Sequence, residues 1–231
     1  MTVTSQLAYA DLEALQSAMT GDEKHSAAAT STLDVLWVLY DRVLRVSPAT
    51  ADDPDRDRFL LSKGHGPVSY YAVLAAKGFF DGIDLTAIGT FDSPLGFHPD
   101  RNLLPGVEIS SGSLGHGLGL AVGVALGLRA QGRTDTHVWV LLGDAELDEG
   151  SNHEAIAYAG ATGLDNLHVV VVDNASSTHG WPGGIASRFA VNGWATAGVN
   201  GRDHDAIYDT FTASHTGRPY AVVANVERKD S

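Results

Sequence analysis

The chain has 231 residues, 44% of them apolar and 19% charged, with a formal charge of −13 and no cysteine. That length and apolar share suffice for one sizeable core, while the acidity argues against a general nucleic-acid or anionic-membrane surface. The lack of cysteine removes disulfides, thiolate metal sites and cysteine nucleophiles, and the opening MTVTSQLAYADLEAL has neither the basic nor the apolar region of an export signal, so a cytoplasmic setting is expected.

Helical spacing covers Tyr9–Thr20 and Ser31–Val46, and the Pro- and Asp-rich stretch Ser47–Asp57 reads as a solvated loop. Gly66–Lys77 is again helical in pattern, and Thr90–Ser113, rich in Gly, Pro, Asp and Ser, is long enough to suggest a functional loop. Leu114–Leu128 is apolar with glycines at 119, 123 and 127. It is too short to span a bilayer, which takes roughly 20 residues, and reads instead as a buried helix packed closely against a sheet or a partner.

From there helix and strand alternate. Helices are expected over Gly115–Gln131, Glu149–Thr162 and His204–Ser214, and strands over His137–Leu142, Leu167–Asp173 and Tyr220–Val226. Continuous runs such as VWVLL and LHVVVVD suit parallel strands buried on both faces, so the expected fold is a three-layer α/β/α domain with a central, mostly parallel sheet. One domain over residues 1–231 is expected.

Ligands of such sheets bind beyond the carboxyl ends of strands. Two of those ends are polar here: Gly143-Asp144-Ala145-Glu146 and Asp173-Asn174-Ala175-Ser176. Asp144 and Asn174 are separated by one helix and one strand, so both can face one cavity. A carboxylate, an amide oxygen and a carbonyl are hard ligands of the kind Mg²⁺ or Ca²⁺ accepts. The helix starting near Glu149 should turn free N–H groups to the same point. Glu146, Asp148 and Glu149 crowd it with negative charge, and like charges about 4 Å apart at an effective dielectric of ~20 repel by roughly 4 kcal/mol; a divalent cation would relieve this for an anionic ligand. No G-x-G-x-x-G lies at a strand-to-helix turn and there is no G-x-x-x-x-G-K-[ST], so dinucleotide and P-loop readings lack their signatures.

GDAELDEGSNHEA followed by LDNLHVVVVDN resembles the thiamine diphosphate motif of transketolases, and LSKGHGP, GFHPD, SSGSLGHGLGLAVGVALGLR and NGRDHDAI match that family in order along the chain. The resemblance implies that Asp144, Asn174 and the Ser176 carbonyl ligate Mg²⁺ or Ca²⁺. It further implies that thiamine diphosphate is held by Gly143, Ala145, Glu146, Asn174, His65 and the backbone at Gly112, Ser113 and Leu114. His25, His65 and His98 match histidines presented to substrate oxygens, and their near-neutral pKa suits proton transfer. Glu149 and Glu154 match glutamates near the contact between paired subunits.

The chain also departs from the family pattern. Ala145 stands for a glycine, which is costly if that position needs a positive φ. His116 stands for a glutamine, His179 lies near a usual aspartate, and EKHSAAATS around His25 lacks the family's Gly-His-Pro-Gly. No pyrimidine-binding domain with its activating glutamate follows in the sequence. The implied protein is the N-terminal subunit of a split transketolase-like enzyme, transferring a two-carbon ketol or related acyl unit to an aldehyde-type acceptor as a heterotetramer with a pyrimidine-binding partner. Two alternatives stay open: the alpha subunit of a 2-oxo-acid decarboxylating enzyme, and a degenerate binding module.

Overall fold

The computed structural model describes residues 7–21 and 30–228. His25 therefore lies outside the described residues. Five strands form one all-parallel sheet in the order β1-β2-β3-β5-β4. They are β1 (Arg58–Leu61), β2 (Val138–Gly143), β3 (Leu167–Asp173), β4 (Ala195–Asn200) and β5 (Tyr220–Asn225). The principal helices are α1 (Leu12–Ala18), α2 (Leu33–Val38), α3 (Val68–Ala76), α4 (His116–Ala130), α5 (Gly150–Ala161), α6 (Gly184–Ala190) and α7 (His204–Phe211).

The expected three layers are present. Successive strand residues point to opposite faces: Trp139, Leu141, Val170 and Val172 join α1, α2, α3 and α7 in one apolar cluster, while Val138, Val140, Val169 and Val171 join α4, α5 and α6 in the other. Each such side chain taken fully out of water contributes about 1.5–3 kcal/mol. That explains why the central strands are unbroken Val and Leu runs.

Three elements went unanticipated: β1, β4 and α6. Two expected helices are interrupted, the first beginning as a 3-10 turn over Tyr9–Asp11 and the second ending in a π turn over Leu39–Val43. Asp57 is no solvated loop residue. It is 3% exposed and accepts hydrogen bonds from the Arg45 N–H and guanidinium and from the His137 N–H, tying the start of β1 to that of β2.

The glycines of α4 also differ from expectation. Leu118, Ala121, Val122, Ala125 and Leu128 are its buried contacts, whereas a Cβ at 119, 123 or 127 would meet nothing within 4 Å. The glycine that permits close approach to the sheet is Gly117, where a Cβ would lie 2.3 Å from that of Ser62. Among the described residues no helix is long and apolar enough to cross a membrane.

Candidate functional site

Three neighbouring strands deliver the candidate residues. β1 runs directly into Ser62-Lys63-Gly64-His65, β2 into Asp144, and β3 into Asn174, so all three loops emerge from the carboxyl edge of adjacent strands. Asp144 is 3% exposed. Its N–H donates to the Val172 carbonyl at 3.2 Å, and its carboxylate accepts the Ser176 hydroxyl at 2.6 Å and the Ser177 N–H at 2.8 Å. The loops after β2 and β3 are thus already joined through Asp144.

Asn174 is 4% exposed, and its side-chain amide makes no hydrogen bond to a described residue. Its amide atoms are not among the described side-chain groups sealed from solvent without a partner, so the amide is open to solvent or a ligand at the strand end. It fits a hard cation, to which amide and carboxylate oxygens are suited. Among the described residues no three His, Asp or Glu side chains form a ready-made metal cage, so a cation held here needs oxygens from backbone, water or a phosphate-bearing ligand, as Mg²⁺ usually does.

Glu146 faces inward. It is 1% exposed; Oε1 accepts the Ser62 hydroxyl and, at 2.9 Å, the Gly115 N–H, and Oε2 accepts the Gly143 N–H at 3.3 Å. One carboxylate therefore braces the ends of β1 and β2 and the start of α4. Burial pushes its pKa up, and these three donors with Lys63 pull it back. With Glu146 turned inward, the acidic crowding at the mouth is smaller than the sequence suggested.

The expected strain at Ala145 is also absent, because Ala145 opens a 3-10 turn, Ala145–Asp148. Ala175 alone among the described non-glycine residues has a positive φ, 54°. It is the link between Asn174 and Ser176.

His65 and His98 are brought together, their ring centroids 5.0 Å apart and nearly perpendicular. His65 is half-buried and His98 exposed. Close backbone contacts hold the pair in place. A Cβ on Gly64 would come within 2.5 Å of the Gly112 nitrogen, and one on Gly112, where φ is +126°, within 2.5 Å of His98 Cδ2. Ser113 is exposed and Leu114 half-buried beside them. Glu149 caps α5, with Glu154 one turn on, and both are exposed. Lys63 escaped the sequence reading: its side chain passes over Gly143, whose Cβ would lie 3.1 Å from Lys63 Cδ. The only sequence signal was a cation directly before Gly-His-Gly.

The model of the thiamine diphosphate-binding domain of transketolase matches residues 4–224. The protein "Ferredoxin fas2" of Rhodococcoides fascians is 57% identical over 98% of this chain and 75% of its own length. This chain has none of the cysteines that ligate an iron–sulfur cluster, and a quarter of that relative lies outside the match. One of the subunits of the apulose-4-phosphate transketolase of Actinobacillus succinogenes is 36% identical over 88% of this chain and 76% of its own length. Among solved structures, transketolase from Leishmania mexicana superposes with a TM-score of 0.74 at 25% identity, over 90% of this chain but 37% of that one.

Proposed function

Because the chain belongs to the family of transketolase thiamine diphosphate-binding domains, we propose that it is the diphosphate-binding subunit of a two-component transketolase-like enzyme. It would transfer a two-carbon ketol or related acyl unit to an aldehyde-type acceptor. The observation that carries this reading is the convergence, at three adjacent strand ends, of buried Asp144 and the unbonded amide of Asn174 with the His65–His98 pair. The 36% identical relative from Actinobacillus succinogenes is named as one subunit of its transketolase and is matched over three quarters of its length, which supports the two-component form.

In this reading the whole chain is one diphosphate-binding domain. Asp144, Asn174 and the Ser176 carbonyl hold Mg²⁺ or Ca²⁺. Backbone at Gly143 and Ala145, with His65 and Lys63, holds the diphosphate, and Gly112, Ser113 and Leu114 line the way to the rings. Glu146 acts from behind, fixing Gly143 and Gly115. When bound, thiamine diphosphate supplies the electron sink for a carbanion formed beside a ketone.

The chain's own contribution is placement and proton handling. His65 and His98, with His25 as a third, hold and move protons at substrate hydroxyl and carbonyl oxygens, for which imidazole is suited near neutral pH. Glu149 and Glu154 face the partner assembly, an α2β2 heterotetramer in the cytoplasm in which the other component brings the pyrimidine-binding domain.

The test is coexpression with a pyrimidine-binding partner, followed by an assay for ketol transfer that depends on Mg²⁺ and thiamine diphosphate. Turnover of a ketose donor is expected. Release of CO₂ from a 2-oxo acid without ketol transfer would replace this reading with a decarboxylating one. No calorimetric binding of cofactor to the complex would reduce the chain to a binding module.

A further inference from the structure

Behind the loops after β2 and β3 lies one buried arginine. Arg188, on α6, is 5% exposed. Its Nη2 donates to the Leu147 carbonyl and lies 2.5 Å from His153 Nε2, its Nη1 is 3.8 Å from Asp148 Oδ1, and the Trp181 ring covers the guanidinium at 5.1 Å. Asp148 in turn accepts the Ser177 hydroxyl at 2.9 Å, and the Ser177 N–H fixes Asp144 at 2.8 Å.

The contacts run in one direction, from α6 through the turn after Asp144 to the loop after Asn174. Apolar packing does not require the charge, because the neighbouring Phe189, fully buried against Trp194, already anchors α6. A buried cation that could be replaced by an apolar residue is weak evidence of stability in itself, and Arg188 Nε has no hydrogen-bond partner. Burial draws the pKa of the guanidinium down, and that of His153 falls through burial and the charge of Arg188, so the imidazole stands as a neutral acceptor.

We propose that Arg188 is a positioning residue for the cation site: through Leu147, Asp148 and Ser177 it sets how the loops bearing Asp144 and Asn174 face each other, without touching the cation. The inference rests on reading Asp144 and Asn174 as a ligand pair. Partners one layer behind metal ligands typically control affinity by 10–100-fold.

The experiment measures Mn²⁺ binding by electron paramagnetic resonance, with thiamine diphosphate present, on the chain purified with its pyrimidine-binding partner. Variants are Arg188→Met, Arg188→Lys and, as the variant that leaves α6 intact, Asp148→Asn. Weakening by 10–100-fold is expected for Arg188→Met and about 10-fold for Asp148→Asn, with Arg188→Lys between, since a single ammonium does not reproduce the planar fork. The metal-free melting temperature of Asp148→Asn should stay at the wild-type value. Wild-type affinity in both Arg188→Met and Asp148→Asn overturns the role of Arg188, as does loss of affinity confined to variants that also lose metal-free stability. A wild-type complex that binds no Mn²⁺ overturns the ligand pair and this inference with it.

Discussion

Replacing Glu146 with alanine should destabilise the chain by about 3 kcal/mol, although nothing on the surface changes. The substitution leaves the Gly115 and Gly143 N–H groups without their acceptor, and each buried donor so stranded costs about 1–3 kcal/mol. The Ser62 hydroxyl suffers less, since it also accepts the Gly117 N–H at 2.9 Å and can rotate. Against roughly 2–6 kcal/mol stands the relief of no longer burying a carboxylate, visible in its raised pKa.

Glu146→Gln keeps the volume and an acceptor for Gly115 but turns amide hydrogens toward the Gly143 N–H, so about 1–2 kcal/mol is expected. A carboxylate whose folded pKa is raised stabilises the fold most when protonated, below its unfolded pKa, and loses that contribution as pH rises through the folded value. The gap between wild type and Glu146→Gln should therefore widen as pH falls. Urea unfolding followed by tryptophan fluorescence at pH 7 and again near pH 5 measures both quantities. A Glu146→Ala chain within 1 kcal/mol of wild type would refute the bracing role.

Three further outcomes follow from the geometry. Ala175→Gly removes a left-handed alanine and should stabilise by about 0.5–1 kcal/mol in the same urea assay, the relief of the positive φ exceeding the added chain entropy. Gly112→Ala places a methyl 2.5 Å from the His98 ring at φ +126°; it should lower ketol-transfer kcat at least 10-fold in the reconstituted complex, with the far-ultraviolet circular dichroism unchanged. His168 is 4% exposed, stacked on Trp139 and 3.0 Å from His137 Nδ1, and burial holds its pKa well below the usual imidazole range. A depressed histidine contributes stability that is fully present above the unfolded pKa of about 6.5 and declines below it, with a slope of up to about 1.4 kcal/mol per pH unit. His168→Phe should flatten unfolding free energy against pH between about 6.5 and 5, and an unchanged slope would assign the acid sensitivity elsewhere.

The central sheet was legible because β2, β3 and β5 are buried on both faces and say so in unbroken apolar runs. β1 is only four residues, Arg58–Leu61, and follows a charged loop, so its pattern is lost among Asp and Arg. β4, Ala195–Asn200, sits at the sheet edge and is mostly half-exposed; Ala, Gly and Asn carry no strand signal there.

Asp144 and Asn174 are conspicuous as polar residues at the ends of two apolar strands, but spacing alone leaves them as plain helix and turn caps, and only the resemblance to transketolases along the chain implies a ligand pair. The inward turn of Glu146 and the reach of Lys63 over Gly143 could not be read from the sequence, because both depend on contacts between segments about 80 residues apart. Backbone path likewise decided which alanine carries the strain, 175 and not 145.

The pairing of β1 with β2 has a kinetic consequence. Arg58 is registered with Val138, 80 positions later (138 − 58), and the excursion between them carries the His98 loop and α4. Closing so long a loop adds little equilibrium cost, only about 0.6 kcal/mol for each doubling of its length. It is slow, however, because non-local parallel pairing must be reached before it is rewarded. The loop after β1 can take its place only when that closure is made, so the candidate site should form among the last events of refolding, after β3 has paired with β2.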